Sequence, residues 1–85
     1  MGVRYTSRFE REARKVPRHL HKTVEQRVEI FKHNPFDPRL KTHKLTGALK
    51  EFWSFSIDYH YRIIFEFIDS GNALFHSIGD HSIYD

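Results

Sequence analysis

The sequence contains no cysteine, and its apolar residues never form a long run. The first absence excludes a disulfide framework and any metal site built on thiolates. The second excludes a membrane-spanning helix, which needs about 18 or more consecutive apolar residues. The N-terminal stretch "MGVRYTSRFE" also lacks the apolar core of a signal peptide. We therefore expect a cytoplasmic protein that makes no contact with a membrane.

Motifs of several common enzyme classes are absent as well. The stretch "LTGALKE" holds a single glycine, so it is not a glycine-rich phosphate loop, and no Gly-x-Ser-x-Gly nucleophile elbow is present. None of the seven histidines shows the His-x-x-x-His spacing of a metal site. We therefore predict neither a metal nor another cofactor.

Positive charge is almost missing from the second half of the chain. Residues 1–50 hold 13 of the 14 Lys and Arg residues against five acids, a net charge of +8, whereas residues 51–85 hold Arg62 against six acids. A basic first half favours a polyanionic partner or an acidic protein partner. The alternative is an ordinary solvated helical surface.

What is present indicates one small globular domain over residues 1–85. Hydrophobic residues make up 39% of the chain and aromatic residues 15%, which is enough for a single core. "VRYT" predicts a short strand. In "TSRFEREARKV" a capping box at Ser7 and Glu10 precedes an apolar stripe with helical spacing. A second helix is predicted over residues 17–34, where Asn34-Pro35 ends it.

After residue 50 the hydrophobic period changes to two. The segments "EFWSFSID", "HYRIIFEFI" and "ALFHSI" alternate as strands do, and "DSGN" is a turn signal between the last two. The predicted fold is α+β in the order β-α-α-β-β-β. Its helical hairpin packs on one face of a small, mostly antiparallel sheet. Strand alternation then aims Arg62 and His60 away from the helices.

Side chains able to move protons are found at the end of the chain, in "IGDHSIYD". His81 and Tyr84 follow the glycine that ends the last predicted strand, a position that commonly carries function. His43, Lys41 and Lys44 precede the strands and are further candidates. Three other histidines lie on or at the end of basic helices, where exposure explains them: His19, His21 and His33.

Taken together, "HKLTG", "YRIIF" and "IG-x-H-x-x-Y" in this element order resemble toxins of the RelE/ParE superfamily from bacterial toxin–antitoxin systems. The resemblance covers nearly the whole chain and implies a microbial-RNase-like sheet. RelE-like members cleave messenger RNA, mostly on the translating ribosome. ParE-like members bind DNA gyrase and carry no nuclease site. The resemblance does not choose between these activities.

The resemblance also implies roles for individual residues. Arg62 matches the strand arginine that contacts the scissile phosphate in RelE-like nucleases. His81 matches the catalytic histidine of YafQ-type toxins, and His43 a second histidine of that type. Tyr84 matches the C-terminal aromatic residue. Three residues complete the expected RNA-binding set: Lys41, Lys44 and His60. The chain departs from the YafQ pattern in having Ser56 and His60 before the strand arginine, and Asp80 where many relatives are basic or neutral.

These residue types fit RNA cleavage. RNA carries its own nucleophile, the 2′-OH, so an enzyme needs a base, a cation for the developing charge and an acid for the leaving 5′-oxygen. We therefore expect a metal-independent endoribonuclease that acts on messenger RNA at the ribosome and is bound by an acidic antitoxin. Two alternatives stay open: a ParE-like gyrase inhibitor, and a protein that only binds a partner and acts as co-repressor.

Overall fold

In a computed structural model of the protein, residues 1–80 are described, so the predicted site residues His81 and Tyr84 lie outside the described part. The helices are α1 (Ser7–Lys15) and α2 (His21–His33). The strands are β1 (Gly2–Tyr5), β2 (His43–Lys44), β3 (Trp53–Ser56), β4 (Arg62–Asp69) and β5 (Asn72–Gly79). Within residues 1–80, neither helix is long and apolar enough to span a membrane.

The five strands within residues 1–80 belong to one sheet in the order β1-β5-β4-β3-β2. β1 runs parallel to β5, and the other neighbouring strands are antiparallel. The predicted β-α-α-β-β-β order and the meander of the last three strands are confirmed. β2 was not predicted from the sequence, because two residues are too few to show a period of two.

The first helix begins one residue earlier than its predicted cap. Thr6, and not Ser7, is the N-cap: its Oγ1 accepts the backbone N–H of Phe9 at 3.0 Å. The predicted capping box at Ser7 and Glu10 is therefore wrong. The Thr6 hydroxyl also donates to the backbone oxygen of His76 at 3.1 Å, which fastens the start of α1 to β5.

The second predicted helix is divided in two. A 3₁₀ turn at Arg18–Leu20 precedes α2, so the continuous helix predicted from residue 17 is wrong in its first turn. The ring of His21 is anchored at the junction, where its Nε2 lies 2.9 Å from the backbone oxygen of Val16. Since a carbonyl only accepts, this nitrogen carries the hydrogen.

The core lies between α2 and the inner face of the sheet, the face that carries Phe55, Phe65 and Phe75. Phe31 of α2 is fully buried there. Its ring centroid lies 5.0, 4.9 and 5.1 Å from those of the three strand phenylalanines. Such aromatic pairs each add about 0.5–1.5 kcal/mol beyond the area that they bury. This packing fixes which side chains of β3, β4 and β5 point the other way.

The outer face of the sheet, opposite α2, carries several small polar residues. Ser54, Ser56 and Ser77 are buried on it beside Ile64. Across the strands, Ser54 pairs with Ile64, which pairs with Ser77. Arg62 stands on this face as predicted. His60 does not belong to a strand, because β4 begins only at Arg62 and His60 lies in the preceding turn. The prediction of a strand reaching back to His60 is wrong.

The first helix closes the edge of β5 where β1 ends. β1 pairs with β5 only as far as Phe75. Beyond it, the Glu12 carboxylate of α1 accepts the Ser77 hydroxyl at 2.7 Å and the backbone N–H of Ile78 at 3.3 Å. One carboxylate thus takes the place of a missing neighbouring strand.

Replacing this carboxylate should destabilise the fold. Glu12→Ala leaves a buried N–H and a buried hydroxyl without their acceptor, which we expect to lower the free energy of unfolding by about 1–3 kcal/mol. Urea denaturation followed by circular dichroism measures it. Glu25→Ala, an exposed acid on α2, is the matched control and should change stability by less than about 0.5 kcal/mol. Equal losses in the two variants would contradict the role given to Glu12.

Candidate active site on the outer face

Arg62 is the only Lys or Arg after residue 50, and the sheet holds it in a defined place. It is the first residue of β4, opposite Ser56 on one side and Gly79 on the other. Its Nη1 donates to the Ser56 hydroxyl, and the residue is half-buried. A guanidinium has five N–H donors, of which this bond uses one. The group therefore keeps donors with which to bind a phosphate.

His43 stands on the same face, at the edge formed by β2. It pairs with Ser54, two strands away from β4 or about 10 Å sideways. Its Nδ1 lies 3.0 Å from the backbone oxygen of Lys41, and because a carbonyl only accepts, Nδ1 carries the hydrogen. In the neutral ring, Nε2 is then an acceptor. A general base that takes up a proton at Nε2 requires this tautomer.

The segment before β2 is fixed by an ion pair. Asp37 accepts the Arg39 side chain at 3.0 and 2.9 Å and its backbone N–H at 2.9 Å. These bonds lower the pKa of Asp37 to about 2 from an ordinary 3.8. Because the folded pKa is the lower one, the pair adds stability above pH 3.8, and that stability is lost as the pH falls towards 2.

The strand that leads to the predicted catalytic tail ends beside Arg62. Gly79, the last residue of β5, is the cross-strand partner of Arg62. His81 follows two positions later in the sequence and Tyr84 three after that. Both lie outside the described residues, so their roles stay predictions.

The expected RNA-binding residues are not brought together. Lys41 is exposed in the loop before β2 and has a left-handed backbone, with φ 52° and ψ 40°. Lys44 pairs with Trp53, so it lies on the inner-face side of the sheet and not beside Arg62. His60 is exposed in the turn before β4, where its backbone N–H donates to Asp58 at 2.9 Å.

A group of aromatic and charged side chains on the outer face was not predicted from the sequence. His76 Nε2 lies 2.9 Å from Glu66 Oε1, and the ring of Phe52 meets that of His76 edge-on, 5.0 Å away. In the register, Ile64 pairs with Ser77 and Phe65 with Phe75, so His76 is the extra residue of a bulge. The bulge hides this residue from a period-two pattern, and a second register shift between Phe67 and Asp69 prevents the strand pairing from being counted back from the turn.

Metal ligands are not clustered in the described part of the chain. Within residues 1–80, no group of three or more His, Asp or Glu side chains is placed to hold a metal ion. The polar groups described above on the outer face are instead the Arg62 guanidinium, the imidazoles of His43 and His76 and the carboxylates of Glu12 and Glu66. Such a set can bind a phosphate and exchange protons with its neighbours.

Comparisons with known proteins find similarity in structure but not in sequence. No protein-family model matches the chain, and no curated protein matches it. YafQ from Escherichia coli BL21(DE3) superposes with a TM-score of 0.80 at 13% identity, covering 96% of this chain and 94% of YafQ. A YoeB/ParE toxin from Agrobacterium tumefaciens gives 0.78 at 18% identity, covering 95% of this chain and 99% of that one.

A third solved structure is an antitoxin–toxin complex, RelB–RelE from Methanococcus jannaschii. It matches with a TM-score of 0.76 at 21% identity and covers 98% of this chain and 96% of that one. At these identities the likeness shows the fold. The fold that the resemblance to the RelE/ParE superfamily implies is therefore confirmed over nearly the whole chain.

Proposed function

We propose that the protein is the toxin of a toxin–antitoxin system, and that it is a metal-independent endoribonuclease that cleaves messenger RNA through attack by the 2′-OH. The observation that carries the proposal is the placement of Arg62. Arg62, the only Lys or Arg of residues 51–85, is held by Ser56 on the outer face, opposite the end of the strand that leads to His81. The fold shared with YafQ, YoeB/ParE and RelE supports it.

In this proposal the four groups have different tasks. Arg62 neutralises the charge that develops on the phosphate, which is why the scheme needs no metal. His43 suits the base that takes the 2′-OH proton, because its Nδ1 is committed to Lys41 and its Nε2 is an acceptor. His81 then suits the acid that protonates the leaving 5′-oxygen. Tyr84 stacks on a base or donates a proton.

The test of the activity is to add the purified protein to a translation extract and map messenger 5′ ends by primer extension. We expect new ends that disappear in His81→Ala, and fewer of them when ribosomes are removed. An intact messenger together with inhibited DNA supercoiling by gyrase would instead identify a ParE-like inhibitor. Normal growth of cells that express the protein without any antitoxin would favour a protein that only binds a partner.

The proposed partner is an acidic antitoxin. Residues 1–50 carry a net charge of +8, which favours an acidic, partly disordered chain that wraps the protein. The matched RelB–RelE structure is itself an antitoxin–toxin complex. Binding should weaken steeply with salt when measured by isothermal titration against the products of the neighbouring genes. A protein that binds none of them would not support this partner.

Two lysines test where bound RNA crosses the sheet. Lys41→Ala should weaken RNA binding and lower the slope of log affinity against log salt by about one, the effect of losing one phosphate contact. Lys44→Ala likewise removes one positive charge, but on the inner-face side of the sheet, where Lys44 pairs with Trp53. If the affinity and the salt slope fall in both variants, bound RNA crosses the edge of the sheet at β2. If the slope is unchanged in both, neither lysine contacts the RNA. Fluorescence anisotropy with a non-cleavable RNA measures it.

A further inference from the structure

A small pocket lies on the outer face of the sheet, and of the proposed catalytic residues within the described part of the chain, neither Arg62 nor His43 lines it. Its volume is about 230 Å³, and its walls include Arg8, Leu49, Phe52, Ile64, His76 and Ser77. Pockets for drug-sized ligands measure about 300–1,000 Å³. This one is smaller and suits a single flat ring rather than a whole nucleotide.

The walls of the pocket offer apolar and aromatic surface. Ile64 is buried, and Phe52 is half-buried with its ring edge-on to His76. His76 is held in place because its Nε2 donates to the Glu66 carboxylate. Aromatic side chains including Phe and His are the ones on which proteins stack unpaired RNA bases. The surface is therefore of a kind that binds a nucleobase by its face.

The hydroxyl groups of the pocket are already engaged. Ser77 donates its hydroxyl to Glu12. Thr6 donates to the backbone of His76 and accepts from that of Phe9. Among the described walls, few groups other than Arg8 are left to read the edge of a base, so stacking is the main interaction that they provide. Stacking tolerates different bases, because every base has an aromatic face.

The distance to the phosphate site fits one nucleotide. Ile64 follows Arg62 by two residues on the same strand and the same face, which places their Cα atoms about 7 Å apart. At the rim, the Arg8 side chain is 62% exposed and pairs with Glu12 at 3.5 Å, so its positive charge is partly offset. We propose that this pocket takes the nucleobase on one side of the scissile phosphate, an inference that rests on the proposed function of the outer face.

The first test is cleavage of a short messenger by Phe52→Leu, which keeps an apolar residue but removes the ring. Stacking on an aromatic ring contributes enough that we expect kcat/KM to fall roughly tenfold to a hundredfold, mostly through KM. Phe36→Leu is the matched control, because Phe36 is 54% exposed and stacks with Phe67 on the other face of the sheet. The control should cleave like the unchanged protein. Equal kinetics in both variants would overturn the pocket.

The second test measures binding and does not require cleavage. Two RNAs carry 2-aminopurine on the 5′ or the 3′ side of a 2′-deoxy sugar at the cut site, and stacking quenches the fluorescence of this base. We expect one of the two RNAs to be quenched by the unchanged protein and by Phe36→Leu, but not by Phe52→Leu. Quenching without cleavage of the all-ribose RNA would refute the nuclease and keep the base pocket. Cleavage without any quenching would refute the pocket and keep the nuclease.

Discussion

Arg62→Ala should lower the rate of messenger cleavage by about 10²–10³-fold, while RNA binding changes by only a few-fold. Removing one preorganised donor from a site that stabilises a developing negative charge costs about this much in kcat. The effect falls on the rate because the phosphate carries most charge in the transition state, where the guanidinium interacts most strongly. Single-turnover cleavage measures the rate, and anisotropy with a 2′-deoxy RNA measures the binding.

Two companion variants separate charge from geometry. Arg62→Lys keeps the charge but loses the planar pair of donors, so it should recover only part of the rate. Ser56→Ala removes the hydroxyl that accepts from Arg62 and should have a smaller effect than Arg62→Ala, since it only releases the guanidinium. Arg18→Ala, an exposed arginine in the 3₁₀ turn before α2, controls for net charge. A full rate in Arg62→Ala would show that the site has been misplaced.

Most of the fold could be predicted because its signals are local. The alternation in β3 and β4 identified the buried faces correctly: Phe55, Ile63 and Phe65 are all buried in the core. The same alternation put Arg62 on the opposite face. The change of period after residue 50 separated helices from strands, which was enough to obtain the order of elements.

What the sequence could not supply depends on contacts between distant residues. Thr6, and not Ser7, is the cap, and its hydroxyl also reaches the backbone of His76, 70 positions along the chain. The bulge in β5 turns Ser77 and His76 to the outer face together, which breaks any period-two pattern. In the sequence, Glu12 is one polar residue of a helix among several, and nothing near it in the chain predicts its contact with the edge of β5.

The candidate site was predictable in part for the same reason. Arg62 follows from strand alternation. His60 shows the limit, because a residue two positions before a strand arginine shares its face only if the strand extends that far, and β4 does not. Residues of α1, of the segment before β3 and of two strands line the pocket on the outer face. No periodicity in the sequence predicts that these elements lie together.

A single 2′-deoxy sugar at the cut site should block cleavage there completely. If the 2′-OH is the nucleophile, its removal leaves nothing to attack the phosphate, whereas a deoxy sugar one nucleotide away should leave the rate unchanged. The products of the all-ribose messenger should be a 2′,3′-cyclic phosphate and a 5′-hydroxyl, which mass spectrometry and end-labelling identify. EDTA should not change the rate, because Arg62 supplies the positive charge in this scheme.

His81→Ala should slow the same reaction by about 10²–10⁴-fold, the usual contribution of a positioned general acid or base. If His81 is the acid and His43 the base, the rate should follow a bell-shaped curve against pH. His81→Ala should remove the fall in rate at high pH, because the acid must stay protonated. His43→Ala should remove the fall in rate at low pH, because the base must be deprotonated. The rates come from single-turnover cleavage between pH 5 and 9. A deoxy-substituted messenger that is still cut, or a reaction that stops in EDTA, would rule out 2′-OH attack without a metal even if the protein proves to be a nuclease.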